Sequence, residues 1–511
     1  MAFGQNINFT TGQGGLGTPL AGQDFISGMV FYSSTLPSGF SYSIAQEIFS
    51  LQQAETLGIV GNYSDETEAI VHLTVGATAS GIPVTVTIPE PNIQSTINNV
   101  VLTTYTTQTT DTTTTILASN LATSINVNNG QGYVATSTGG TVSIYASSGF
   151  GSLINGVTPV ITQSTTIVTS GTFSGGVNSK RIFENYQISE YFRMQPQGQL
   201  WVMYATYNAG SIDFTQLNSL QNQSGNVIRQ FGVFNLNATS ASQINADCDA
   251  IQTVCNTMFN SYSPASVIYA PNIYSISNLA TLPNLRARSD NFVSGVIGQD
   301  GGNTGAFLSI MLGQSVPCYG AVLGAVSLSK VSDSIGWVSK YNLSGSTELS
   351  TPAMSNNQLY ATLYSSSYNE LVQLDSYGWI FLQTRPNLIG TWVNDSHCAV
   401  SITSAYNYIE KNRTIDKVLR NTYLELAPLI NSPELLNADG TLSAVAIAIF
   451  ENSEKPSMDA MIQNSEISAY DIIINPNQNV QSTGTIAITI NIVGIGVARQ
   501  INVSLNYVIS I

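Results

Sequence analysis

Alternation of apolar and polar side chains is strongest at the far end of the chain. Ile486, Ile488, Ile490 and Ile492 fall on one side of an extended segment, with Thr485, Ala487, Thr489 and Asn491 on the other. A second run places Ile501, Val503, Leu505, Tyr507 and Ile509 opposite Asn502, Ser504 and Asn506. Period-two patterning predicts two half-buried strands. Upstream, the spacing predicts helices over 413–430 and 441–452 and a short strand over 470–474. The last strand runs to Ile511 without a polar tail, which leaves an open hydrogen-bonding edge of the kind soluble proteins usually protect. The expected occupant of that edge is a second copy of the chain.

The rest of the chain divides by texture. Residues 1–24 carry six glycines from Gly4 to Gly22 and predict an extended arm rather than a packed element. Residues 25–75 open the core, with a strand around Ile26–Phe31 and a helix over 43–57 (Ile44, Ile48, Leu51). Over 76–178 the pattern turns β-rich. Val84, Val86 and Ile88 alternate between Pro83 and Pro89, and ten threonines crowd between Thr103 and Thr115. Leu117, Leu121 and Ile125 predict a short helix over 114–126, and Gly139-Gly140 a hairpin over 133–146. Residues 179–400 alternate strands (200–207, 227–236, 267–274) with helices. The clearest helix is 240–260, with Ile244, Cys248, Ile251, Cys255, Met258 and Phe259 on one face. This order predicts a mixed α/β multidomain fold: a sheet flanked by helices, an inserted β-rich, sandwich-like domain and a C-terminal domain over 401–511.

Charge sharpens the picture by exclusion. Only 9% of the 511 residues are charged and the formal net charge is −15, so amides and hydroxyls must cover the surface. No Lys or Arg precedes Lys180, whereas eight carboxylates do. A chain without a basic footprint is not expected to hold nucleic acid. No apolar run reaches the length of a membrane span, and nothing at the start reads as a secretory signal. Four scattered cysteines fit synthesis in a reducing cytoplasm.

Candidate chemistry is sparse. Gly12-Gln13-Gly14-Gly15-Leu16-Gly17 matches a dinucleotide fingerprint, but Thr18-Pro19 follows where that motif needs a helix; the expected role is a flexible arm. Cys248 and Cys255 lie on one helix face, read as core packing, and with only His72 and His397 in the chain no zinc set is expected. Asn394-Asp395-Ser396-His397-Cys398 lacks the strained serine turn of a triad, so a structural hydrogen bond is expected for His397. The chain is therefore expected to be neither an enzyme nor a holder of metals or cofactors.

The C-terminal elements, taken together, resemble the closing domain of contractile phage tail sheath proteins. The residues that carry the resemblance are Asn412-Arg413-Thr414-Ile415-Asp416 with Val418, Leu419 and Tyr423, then Tyr470–Ile474, Gly484–Ile488 and 501–509. The Thr-rich insertion resembles the protruding domain of many sheaths, and residues 1–24 their N-terminal linker. At the level of motifs the resemblance covers about 405–511. It implies a structural subunit of a virion tail, assembled in the bacterial cytoplasm as hexameric rings in a helical tube. Its partners would be an inner tail tube, a baseplate and a terminator, and contraction would drive the tube through an envelope. Head-to-tail contacts of this kind build open filaments, and terminal strands would join neighbouring sheets. The residues expected to serve this linkage are Ile486, Ile488, Ile490, Ile492, Ile501, Val503, Leu505, Tyr507 and Ile509. On the N-terminal arm they are Gly4, Asn6, Ile7, Phe9, Gly12, Gly14, Gly15 and Gly17. The runner-up is a receptor-binding fibre or adhesin, which the α/β pattern of 180–400 disfavours; a third reading is a virion-borne glycan depolymerase.

Overall fold

The computed structural model describes residues 24–91, 97–128 and 132–507. β1 (Ser27–Ser33) leads through β2 (Ala45–Ile48) and the short α1 (Leu51–Thr56) into a β-rich unit. That unit contains β3 (Ile70–Val75), β4 (Pro83–Pro91), β5 (Ile97–Thr106), α2 (Thr114–Val127), β6 (Val134–Thr138), β7 (Thr141–Tyr145), β8 (Val160–Thr162) and β9 (Val168–Ser170). The chain returns through α3 (Ile182–Met194), β10 (Leu200–Thr206), α4 (Thr215–Gln223), β11 (Gln230–Asn235), α5 (Ala241–Asn260) and β12 (Ser266–Pro271). Next come α6 (Thr304–Leu312), α7 (Tyr319–Leu328), α8 (Tyr360–Ser366) and α9 (Tyr368–Ser376). The C-terminal elements are α10 (Ile409–Leu426), α11 (Ala444–Gln463) and the strands Ile467–Ile474 and Ile488–Gly494. The protein is a mixed α/β, multidomain chain.

β1 sits at the middle of a six-stranded sheet, parallel to β10 on one side (Ser27↔Leu200) and to β11 on the other (Ser27↔Gln230). β12 and then the strand Val293–Gly295 extend it in parallel, while β2 closes the far edge antiparallel to β10. Strands buried on both faces need apolar side chains in both directions. Accordingly Met29, Val202 and Ile268 pack toward α3 and α7 (Ile188, Tyr191, Val322). Val30, Val233 and Val267 pack toward α4 and α5 (Leu217, Ile244, Ile251). α3 and α7 touch backbone to backbone at Gly320, where an added Cβ would sit 2.2 Å from the Gln187 carbonyl oxygen.

The helix expected over 43–57 is replaced by β2 and the six-residue α1. Ile44 and Ile48 satisfy a helical spacing, but β10 offers Ile48 a buried partner in Leu200, and Ser50 starts a new helix as N-cap by accepting from the Gln53 N–H. Tertiary pairing overrode local periodicity. The 240–260 helix forms as α5, capped by Ser240, with Cys248 and Cys255 buried.

In the β-rich unit two sheets, β6-β7-β3-β9 and β5-β4-β8, enclose one apolar core with α2. Leu117, Leu121 and Ile125 of α2 are buried in it, and Thr113 caps the helix by accepting from the Ile116 N–H at 3.2 Å. The unit begins before residue 76, because β3 pairs with both β7 and β9. Asp111 ties down the threonine block: it accepts from the Tyr105 hydroxyl (2.9 Å), the Gln108 N–H (2.7 Å) and the Asn120 amide (2.6 Å). Entry and exit of the unit meet in a stem. Thr67 bridges Val177, and the Asp65 carboxylate accepts from the Ser179 hydroxyl (2.5 Å) and the Lys180 N–H (2.9 Å).

Candidate assembly interface

The C-terminal elements are built around α10. Its N-terminal half is buried (Ile409, Glu410, Asn412, Arg413, Thr414, Asp416), and its C-terminal half packs on α11. The strands Ile467–Ile474 and Ile488–Gly494 form a two-stranded antiparallel sheet, with Ile472↔Ile490 and Ile474↔Ile488 in register. Ile472, Ile474, Ile486 and Ile488 pack with Leu442, Ala446 and Phe450, whereas Tyr470, Ile490 and Ile492 pack with Met458 and Met461. Ile486, Ile488, Ile490 and Ile492 are thus partly buried against their own chain, while the outer edge of the strand Ile488–Gly494 has no ladder partner among the described residues. Their alternation is explained by α11, which covers that face.

The second alternating run behaves differently. Residues 501–507 pair with nothing among the described residues, and Ile501, Val503, Leu505 and Tyr507 are exposed, Leu505 at 91%. Here the expectation of a half-buried strand is not met within one chain, because no second sheet face is present to cover it. Both outer edges of the two-stranded sheet likewise have no ladder partner among the described residues. Ile509 and the arm residues Gly4, Asn6, Ile7, Phe9, Gly12, Gly14, Gly15 and Gly17 lie outside the described residues.

Charged side chains fix the roots of both termini, and sequence reasoning missed them. Asp24 is clasped by α10: Lys417 Nζ donates to Oδ2 at 2.7 Å, Arg420 Nη2 to Oδ1 at 2.6 Å, and Arg413 Nη2 to the Asp24 carbonyl at 3.2 Å. Burial alone would raise the Asp24 carboxyl, but Arg420 and Lys417 outweigh it and hold it below the usual range. Lys417 also donates to Glu466 at 2.6 Å, just before the first C-terminal strand. At the other root, Arg499 donates to Asp395 at 2.7 Å and to Glu410 at 2.5 Å, and its guanidinium lies 3.4 Å over the Tyr408 ring. Residues Ile495–Arg499 wall a groove of about 990 Å³ with Trp337, Trp392, Leu388 and Ile389. The signal for Asp24 was present in the sequence: it is the only charged side chain before Glu47, and Arg413, Lys417 and Arg420 share one face of a helix.

The other singled-out residues serve packing or local bonding. Arg286 donates to His397 Nδ1, so the Nε2–H points to Asp375 at 3.1 Å. Asp395, its neighbour in sequence, bonds Arg499 instead. His72 meets the Ser143 hydroxyl at 2.9 Å, and all four cysteines are free and buried. A cavity of about 220 Å³ at the carboxyl ends of β1 and β11 is lined by Ser33, Ser179, Lys180 and Glu184, where open α/β sheets commonly bind ligands. Its chemistry is largely spent: the Ser179 hydroxyl accepts from the Arg181 and Ile182 N–H groups at the start of α3, and Glu184 is held by Arg181 at 3.0 Å and by the Tyr204 hydroxyl at 2.7 Å. Burial pushes Glu184 up to about 7 despite Arg181. Among the described residues no group of three or more His, Cys, Asp and Glu is placed to hold a metal, and no helix is long and apolar enough to cross a membrane.

Residues 405–511 match the family model of the DUF2586 C-terminal domain, the same stretch over which the motif-level resemblance was read. No curated protein matches the chain. Among solved structures, the chain is similar to a component of the anti-feeding prophage baseplate, 6-fold symmetrised, at 12% identity, 66% coverage of this chain, 85% of that chain and a TM-score of 0.42. A component of an extracellular contractile injection system, the PVC sheath complex in its contracted state, is similar at 10% identity, 64% and 80% coverage and a TM-score of 0.41.

Proposed function

We propose that the protein is a structural subunit of a contractile particle, and within that class a tail sheath subunit that polymerises around an inner tube and works without an active site. The observation that carries the reading is the exposed, alternating segment 501–507 beside a two-stranded sheet with open edges. An unpaired apolar strand and an unpaired sheet edge on one chain complement each other between copies. Each added strand satisfies backbone groups and removes apolar area from water, at roughly 25 cal/mol per Å². The contact is heterologous and so propagates along a filament instead of closing on itself. The motif resemblance over 405–511 supports the same reading. Its partners in the proposal are copies of itself, an inner tube, a baseplate and a terminator.

Removal of residues 501–511 tests the reading. The expected product is a folded monomer by sedimentation velocity, with unchanged far-ultraviolet circular dichroism and no tubes or rings by electron microscopy at high concentration. Long tubes from the truncated chain would rule the linkage out.

A further inference from the structure

Both chain ends join the fold on the same helix. Arg413, Lys417 and Arg420 of α10 hold Asp24, and Glu410 in its first turn holds Arg499. Tyr408, the N-cap residue of α10, lies under the Arg499 guanidinium. These contacts span 389 to 396 residues of sequence at one end and 89 at the other. Along the helix axis they are separated by about 5–15 Å, from the rise per residue. Glu410 also suits its place in the helix, the positive N-terminal turn. Asp24 and Glu410 are largely withdrawn from solvent (13% and 4% exposed side chains), so screening weakens them less than surface pairs.

We propose that α10 is the common anchor of the two terminal segments: Asp24 pins the root of residues 1–23 to its basic face, and Arg499 pins the root of residues 501–511 to its first turn. The inference rests on the assembly reading above and adds a geometric consequence. The two connections from one copy to its neighbours leave at a separation set by one helix, whose buried N-terminal half is fixed to the core through Arg413 on Ser329 and Lys330. Asp24 and Arg499 are positioning residues in this scheme; the linking contacts are made by the segments they hold.

The experiment uses the full chain with Asp24→Asn, Arg499→Ala and Arg499→Lys. Hydrogen exchange on dilute, unassembled protein reads the pins directly. Asp24→Asn is expected to speed exchange about tenfold or more over 24–28 and 413–420, and Arg499→Ala over 396–398 and 409–412, whose N–H groups are hydrogen-bonded where Arg499 is clamped, with β3–β9 unchanged. Arg499→Lys is expected to fall between, because a lysine cannot span Asp395 and Glu410 as a guanidinium fork does. Unaltered exchange in either variant overturns that pin. In electron micrographs of concentrated protein, the loosened variants are expected to give assemblies with an irregular axial repeat or none. Loosened exchange with a wild-type repeat overturns the proposal. If the unmodified chain forms no assembly, the reading of the preceding section fails, while exchange still decides whether α10 anchors both roots.

Discussion

The β-rich unit and the C-terminal elements are both small, both β-containing and both attached to the same α/β core, yet they are finished to different degrees. Among the described residues, twenty-two buried apolar side chains form one core in the first. In the second, the two clusters hold four and three. The unit's seven strands are distributed over two sheets that cover each other through α2. The C-terminal sheet has two strands, covered on one face only, and a two-stranded sheet is marginal by itself. The first region buries most of its apolar side chains within itself, with Val101, Val127, Val134 and Val160 left singly exposed. The other leaves a contiguous alternating run, Ile501, Val503, Leu505 and Tyr507, in water.

The most drastic way to break the comparison is excision. A fragment of residues 64–179 is expected to fold alone with a cooperative thermal transition, whereas 405–511 is expected to lack one until it is concentrated; calorimetry decides both. Next in size, Leu121→Ala in α2 should cost about 2–4 kcal/mol of the unit's stability by denaturant titration. Ile490→Ala, half-exposed on its two-stranded sheet, should cost about half as much or less.

Acid–base behaviour sharpens the contrast. Burial lifts the Asp416 carboxyl to about 7 against the pull of Arg420, Arg413 and Arg229. An acid raised in the folded state binds its proton more tightly there than in the unfolded chain. Stability therefore falls as pH rises through the window between the unfolded value near 4 and about 7. The melting temperature of the full chain should drop by about 2–4 °C between pH 5 and pH 8, and Asp416→Asn should remove about half of that slope, because Glu184 titrates in the same window. The smallest expected effect is a matched pair of caps. Thr113→Ala on α2 and Ser443→Ala on α11, each removing one acceptor for a helix N–H, should each cost about 1 kcal/mol. Equal costs would show that the regions differ in burial and not in local helix chemistry.

Local order was legible in the sequence wherever one chain segment decides it. The α2 stripe, the hairpin around Gly139-Gly140 and the buried face of α5 are all stated by spacing alone. Period-two alternation also located the strand Ile488–Gly494, whereas the equally alternating 501–507 forms no strand; alternation reports only that one face wants cover, not whose. Hence Ile486–Ile492 and 501–507 look alike in sequence and differ in the fold: α11 covers the first, and nothing among the described residues covers the second. The 43–57 segment failed because Ile48 is claimed by a strand some 150 residues later. The Asp24 clasp depended on a helix nearly four hundred residues away, which no window reaches, although the isolation of that one charge was visible.

The stem at Thr67 and Val177 has a practical corollary. Antiparallel neighbours place their Cα atoms about 4.5–5.5 Å apart, so the chain leaves and re-enters the core at almost one point, sealed by Asp65 on the turn into α3. Whatever lies between those two positions is cargo from the core's standpoint. A foreign domain with similarly adjacent ends could be grafted there and carried by the core.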